Sequence, residues 1–285
     1  MYHYIVDPSR LPVRNFDRTL GEVYGHLTEH QISGEVHRIT RLRNMHELVE
    51  SALSSGAKTL VAMGDDETFQ ELLQIIAGKK DIVLGFLPLV KNSVIASVLG
   101  LGSLEDACRA IAQRRTEQFD LGQINRNYFF TDLSFGLQAG VATQGGASLF
   151  GALKTIGRVK AAPLLPLIID VDGRYKVSLN ASMGMVVNTP SRIPSAVSSG
   201  LDDKLDLLLL GKLSVRELLR YRGEFARGEL ERIPGVTVLH GERFEIDAPK
   251  NTPIFSQNLS VGRLPVTINL SEHKLRLIIG KNFAV

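Results

Sequence analysis

Gly64-Asp65-Asp66-Glu67-Thr68 places three carboxylates and a hydroxyl between the apolar run Thr59 to Met63 and the apolar positions Phe69, Leu72, Leu73 and Ile76. Those later positions fall at i, i+3, i+4 and i+7, so the segment reads as strand, turn and helix, with Gly78 as the stop. Such a turn aims backbone N–H groups and the positive end of a helix at one point, which suits a phosphate. Here it carries acid. Asp and Glu in a first helical turn also cap N–H groups and complement the helix dipole with no ligand present. A triphosphate at this turn would meet Asp65 and Glu67 as well as Asp66. Two like charges roughly 4 Å apart repel by about 4 kcal/mol at an effective dielectric of ~20, and a bridging Mg2+ would offset much of that.

His26-Leu27-Thr28-Glu29-His30 fits H-x-x-E-H, the spacing that sets two imidazoles on one helical face for zinc hydrolysis. No third ligand is obvious, and Leu20, Val23 and Leu27 already mark the buried stripe, so a solvated helix face is the simpler reading. Arg216, Arg220, Arg222 and Arg227 accompany Leu218, Leu219 and Phe225 on one segment. A basic amphipathic helix can lie on anionic lipid, but an exposed face over a β core is the commoner explanation. The chain has no G-x-S-x-G elbow and no phosphate-loop lysine motif.

These residues need a scaffold, and its outline is readable. At 285 residues the chain is long enough for two domains, each with its own core. Hydrophobic content of 44% and charged content of 22% fit a folded globular protein and argue against disorder. The net charge of +3 is compatible with an anionic ligand or membrane surface. Aromatics at 6%, no Trp and no Lys/Arg block give no sign of nucleic-acid binding. Cys108 is the single cysteine, which excludes a disulfide framework and fits a cytoplasmic setting. The opening MYHYIVDP reads as a first strand rather than a leader, and no apolar run approaches the ~20 residues of a membrane span.

Strands at Tyr2 to Val6, Glu35 to Thr40, Thr59 to Met63 and Ile82 to Phe86 alternate with helices at Asn15 to Gln31, Met45 to Ser54 and Phe69 to Ile76. That order predicts a parallel, doubly wound sheet with its ligand crevice at the carboxyl ends of the strands. Two further helices, Ser93 to Leu99 and Leu104 to Gln113, complete a first domain over residues 1–120. From 121 to 285 the runs are short and β-rich, with helices expected near Ser148 to Val159 and Val215 to Ala226. The last run, Lys274 to Ile279, could cap this β domain or return to the first sheet.

Four segments together resemble the diacylglycerol kinase catalytic family, in its bacterial soluble lipid kinase branch. MGDDETFQ (Met63 to Gln70) falls where that family has G-G-D-G-T-x-N, and LGFLPLVKNSVIASVLGL (Leu84 to Leu101) where it has G-x-x-P-L-G-T-G-N-D-F-A-x-x-L-G. IPSAVSSGLDDKLDLLLL (Ile193 to Leu210) resembles P-x-A-x-x-x-D-G-x-L-D, and FSQNLSVGRLPV (Phe255 to Val266) resembles V-D-G-E-P-x-G-x-x-P-V. NAD kinases share the first segment only, which favours the lipid branch. The resemblance implies a Rossmann-like nucleotide domain, a C-terminal β-sandwich lipid domain and an active-site cleft between them. It also implies ATP and Mg2+ as cofactors and a lipid alcohol as phosphoryl acceptor.

Carried over residue by residue, the resemblance assigns Asp66 the loop aspartate of catalysis. It places Asp7, Ser9, Thr40, Gly64, Asp65, Glu67, Thr68 and Lys91 around the nucleotide. Asp202 falls on the metal-ligand aspartate, with Ser199 and Lys204 where backbone carbonyls assist. The departures are concentrated at the chemistry. Asp65 and Glu67 replace glycines that let backbone approach phosphate. Val90, Lys91, Asn92, Ser93 and Val94 replace G-T-G-N-D, and Asp203 replaces a glycine. Gln257-Asn258-Leu259 stands where D-G-E supplies the general base on the lipid hydroxyl, and Leu259 has no proton-accepting group. Loss of a positioned base costs on the order of 10² to 10⁴ in rate.

The expectation is therefore a lipid kinase family protein that is a pseudokinase, binding a lipid, another small ligand or a partner through the inherited cleft. The alternative is an active, atypical kinase in which Asp66 and Asp202 hold Mg2+ and Lys91 supplies positive charge. Peripheral membrane contact and a homodimer are both compatible with the sequence.

Overall fold

The computed structural model describes residues 1–11, 16–136, 163–188, 203–221, 223–224, 230–248, 251–256 and 259–283. Two compact units emerge: residues 1–119 with 273–285, and residues 120–272.

In the first unit, β1 (Tyr2–Val6), β2 (Gly34–Arg38), β3 (Thr59–Gly64) and β4 (Val83–Pro88) lie in the order β2-β1-β3-β4. All three pairings are parallel. Residues at the end of the last strand, β16 (Val266–Ile278), add to the outer side of β4, where Arg276 and Leu277 pair in parallel with Val83 and Leu84. Helices α1 (Phe16–Glu29) and α5 (Leu104–Gln113) pack together, as do α2 (Met45–Ser54) and α3 (Asp66–Ile76). α4 (Val94–Val98) is a single short turn beyond β4.

The local reasons are visible in the sequence. All six residues of β3 are buried, as expected for a central strand covered on both faces. α3 turns Phe69, Leu72, Leu73 and Ile76 inward. Phe69 meets Phe86 of β4 edge to face with ring centroids 5.3 Å apart, a geometry worth about 0.5–1.5 kcal/mol beyond the area buried. Reciprocal hydrogen bonds between Asn44 and Glu47 form a capping box that fixes the start of α2.

The second unit contains two antiparallel sheets. One holds β8 (Leu165–Val171), β9 (Tyr175–Ala181), β13 (Arg243–Asp247) and the first part of β16. The other has the order β12-β11-β10-β7-β14-β15. Its strands are β7 (Asp132–Gly136), β10 (Met183–Val187), β11 (Leu205–Leu210), β12 (Val236–Gly241), β14 (Pro253–Ser256) and β15 (Leu259–Arg263). Leu167, Ile169, Phe244 and Ile246 from the first sheet pack in one core with Leu133, Phe135, Val186 and Leu207 from the second. That is an open sandwich, not a closed barrel. β11 is buried along its whole length because its other face contributes Leu208 and Leu210 to a smaller cluster with Leu213, Leu230 and Ile233.

Several boundaries differ from the sequence expectation. The run expected from Lys274 to Ile279 is the end of a longer, 13-residue strand, β16. β5 (Thr116–Ile124), β14 and β15 are strands that the apolar pattern did not announce. The helix expected over Val215 to Ala226 is described as α6 (Val215–Arg220). Arg222, Phe225, Arg227 and the helix expected over Ser148 to Val159 lie outside the described residues.

Candidate functional site

The strand order of the first unit reverses between β1 and β3, so the loops after these two strands flank the topological switch point where open α/β sheets place ligands. The loop after β1 carries Asp7, Ser9 and Arg10, and the turn after β3 carries Asp65, Asp66 and Glu67.

Gly64 ends β3 at φ +158, and a Cβ there would lie 2.6 Å from the Thr68 hydroxyl oxygen. Only a residue without a side chain lets the turn close this tightly. Asp65 is the N-cap of α3. Its Oδ1 accepts the Thr68 backbone N–H at 2.8 Å and the Thr68 hydroxyl at 2.7 Å. The N–H that would face an anion at the third helical position is therefore already satisfied by a carboxylate.

Asp66 reaches across to the next loop. Its Oδ1 accepts the Ser93 hydroxyl, and its Oδ2 accepts the Val94 backbone N–H at 2.8 Å. Ser93 in turn caps α4 by accepting the Ala96 N–H at 2.9 Å. Burial raises the Asp66 carboxyl above its ordinary value, and the hydrogen bonds from Ser93, Val94 and Ile95 act in the opposite direction. Asp66 thus ties the turn after β3 to the segment after β4.

Arg10 supplies the counter-charge. Its Nε lies 3.2 Å from Asp7 Oδ2, its Nη1 3.4 Å from Glu67 Oε2 and its Nη2 2.7 Å from Glu71 Oε2. Asp7 also accepts the Ser9 backbone N–H at 2.9 Å and the Ser9 hydroxyl at 2.6 Å. One guanidinium therefore bridges the two loops that flank the switch point. Sequence reading passed over Arg10 because two of its three partners, Glu67 and Glu71, lie 57 and 61 residues away.

Thr40 sits in an exposed turn after β2, where its hydroxyl accepts the Leu42 and Arg43 N–H groups at 3.3 and 3.2 Å. Lys91 is exposed in the loop after β4. Next to it, Asn92 adopts φ +62. Asn92 falls where the resembled motif has a glycine, and Asp203, which also replaces a glycine, has φ +55. Asn and Asp are the side chains that best tolerate the left-handed region.

In the second unit, Lys204 is exposed, while Ser199 and Asp202 lie outside the described residues. The Asp203 N–H donates to Asp120 Oδ2 at 3.1 Å. Leu259 begins β15 and is 45% exposed, with no group able to take a proton; Gln257 and Asn258 lie outside the described residues. Buried Asp206 on β11 pairs with His240 Nδ1 on β12, a contact that follows from strand register and was not evident in the sequence. His26 Nδ1 lies 3.1 Å from Glu29 Oε2, an i,i+3 pair on the solvent side of α1.

The chain thus combines a doubly wound α/β unit with an antiparallel two-sheet unit. Residues 13–124 match the family described as "Diacylglycerol kinase catalytic domain". A relative from Pseudomonas aeruginosa, "Probable lipid kinase YegS-like", is 29% identical over 126 residues, which are 40% of this chain. The match spans 42% of that relative's length. Among solved structures, a diacylglycerol kinase from Bacillus anthracis str. Sterne superposes with a TM-score of 0.75 at 17% identity, covering 99% of this chain and 98% of that one. An NAD kinase from Archaeoglobus fulgidus in complex with ATP gives a TM-score of 0.51 at 13% identity, covering 99% of this chain and 94% of that one. Both likenesses establish the fold. Among the described residues, no helix is long and apolar enough to cross a membrane.

Proposed function

We propose that this chain is a lipid kinase family protein whose nucleotide loop no longer serves ATP, and that it binds a lipid or another small ligand as a pseudokinase. The observation that supports the reading is the internal saturation of the turn after β3. Asp65 takes the Thr68 N–H that a phosphate would use, and Arg10 is held by Asp7, Glu67 and Glu71. The described residues do not fit an ATP triphosphate in the manner of the family's glycine-rich loop, since a polyphosphate would face carboxylates where it needs open N–H donors. Phosphoryl transfer depends almost wholly on positioning and charge stabilisation. Leu259 at the base position removes a further contribution.

A second reading, an active atypical lipid kinase using ATP and Mg2+, draws on Asp66. A partly buried carboxyl with a raised proton affinity, set at a switch point, is a common mark of a functional acid. Lys91 would supply positive charge and Asp202 a metal ligand. The decisive assay offers the purified chain diacylglycerol and γ-labelled ATP with Mg2+. The pseudokinase reading requires no labelled lipid above background. Transfer that disappears in Asp66→Ala would establish the second reading instead.

A further inference from the structure

Away from the carboxyl edge of the first sheet, three side chains with metal-binding atoms converge. His3 is the second residue of β1, and Glu35 and His37 lie on β2. The parallel register pairs His3 with Glu35 and Ile5 with His37. Residues paired across strands, and residues two apart on one strand, point to the same face, so His3, Glu35 and His37 share one. The atoms meet accordingly. His3 Nδ1 lies 3.0 Å from His37 Nε2, and Glu35 Oε2 lies 3.8 Å from the first and 3.7 Å from the second. The imidazole rings stack within 10° of parallel, with centroids 5.2 Å apart.

We propose that His3, His37 and Glu35 form a binding site for a zinc-class divalent cation. Zinc sits about 2.0–2.2 Å from imidazole nitrogen and carboxylate oxygen in tetrahedral geometry, which places neighbouring ligand atoms about 3.3 Å apart. The three separations bracket that value, and small side-chain rotations bring them to it. Two imidazoles with one carboxylate select a borderline ion such as Zn2+ over Mg2+ or Ca2+, which prefer oxygen alone. Three protein ligands leave a fourth position for water. His3 is buried at 4% exposure, whereas β2 is the edge strand of the sheet. An ion held between them straps the edge strand to its neighbour, a cross-link that stabilises the native state by mass action. The histidine spacing at His26 and His30 drew attention in the sequence, but the convergent set comes from strand register instead.

The test is a titration of metal-free full-length chain with Zn2+ alone, followed by calorimetry and by melting temperature, and repeated with Co2+ for its visible absorption. The expected result is one saturable equivalent, a tetrahedral Co2+ spectrum and a zinc-dependent rise in melting temperature. His37→Asn and Glu35→Gln, both on the edge strand, are expected to weaken binding at least tenfold and to abolish the rise. Their metal-free melting curves show that the fold is intact. The double variant His26→Gln/His30→Gln is expected to bind as the wild type does. Absence of a saturable equivalent, or affinity unchanged in both His37→Asn and Glu35→Gln, overturns the proposal.

Discussion

Asp65 Oδ1 accepts both the backbone N–H and the hydroxyl of Thr68, at 2.8 and 2.7 Å. This pair makes the turn after β3 a self-capped helix start. The Thr68 N–H, which an open turn would present to an anion, is taken by the Asp65 carboxylate.

Removing the cap separates stability from ligand access. Asp65→Ala is expected to destabilise the chain by about 1 kcal/mol, the usual cost of losing an N-cap, measured by urea denaturation. Asp65→Gly costs less, because glycine is itself a tolerable cap. Combined with Glu67→Gly, it is expected to produce a Mg-ATP-dependent rise in melting temperature that the parent lacks. No rise in the double variant would show that the loop is not what limits nucleotide binding.

Arg10 is expected to matter through the three carboxylates it holds. Its side chain is 26% exposed and its partners range from 11% to 41%, so solvent screens each pair and the combined effect is modest. Arg10→Gln is expected to destabilise by about 1 kcal/mol at low ionic strength, less in high salt, and less again in an Arg10→Gln/Glu71→Gln background. A salt-independent effect would point to packing rather than charge.

Gly64→Ala tests the close approach under the turn. A Cβ would sit 2.6 Å from the Thr68 hydroxyl oxygen and 3.1 Å from its Cβ, on a backbone at φ +158. The expected loss is about 1–3 kcal/mol, partly recovered in Gly64→Ala/Thr68→Ala. Equal losses in the single and double variants would place the strain in the backbone alone.

Burial, with a smaller contribution from Glu29, pushes the Cys108 thiol up from 9.0 to about 12. A raised value means that the folded chain holds the proton more tightly than the unfolded one. The associated stability is complete below the ordinary thiol range and is lost as pH rises from about 9 toward 12. At pH 8, a thiol-disulfide reagent is expected to label the native chain at least about 100-fold more slowly than the urea-unfolded chain. Comparable rates would show that α5 opens readily.

The centre of the parallel sheet was legible because β3 is buried along its whole length and reads as an unbroken apolar run, Thr59 to Met63. β5 and β15 were not, since partly exposed strands such as Leu259–Arg263 mix polar residues without clean alternation. At the site, Gly64 to Thr68 announced itself through local spacing. Arg10 with Glu71, and His3 with His37, did not, because each contact is made by strand order and register between residues 61 and 34 positions apart. Local chemistry is written along the chain, while contacts between loops wait for topology.

We propose that Asp65, Glu67 and Arg10 close the turn after β3 to nucleotide. The most direct measurement is the melting temperature of purified chain with and without millimolar Mg-ATP. No shift is expected. A saturable rise, abolished by Asp66→Ala and accompanied by γ-phosphate transfer to a lipid hydroxyl, would contradict it.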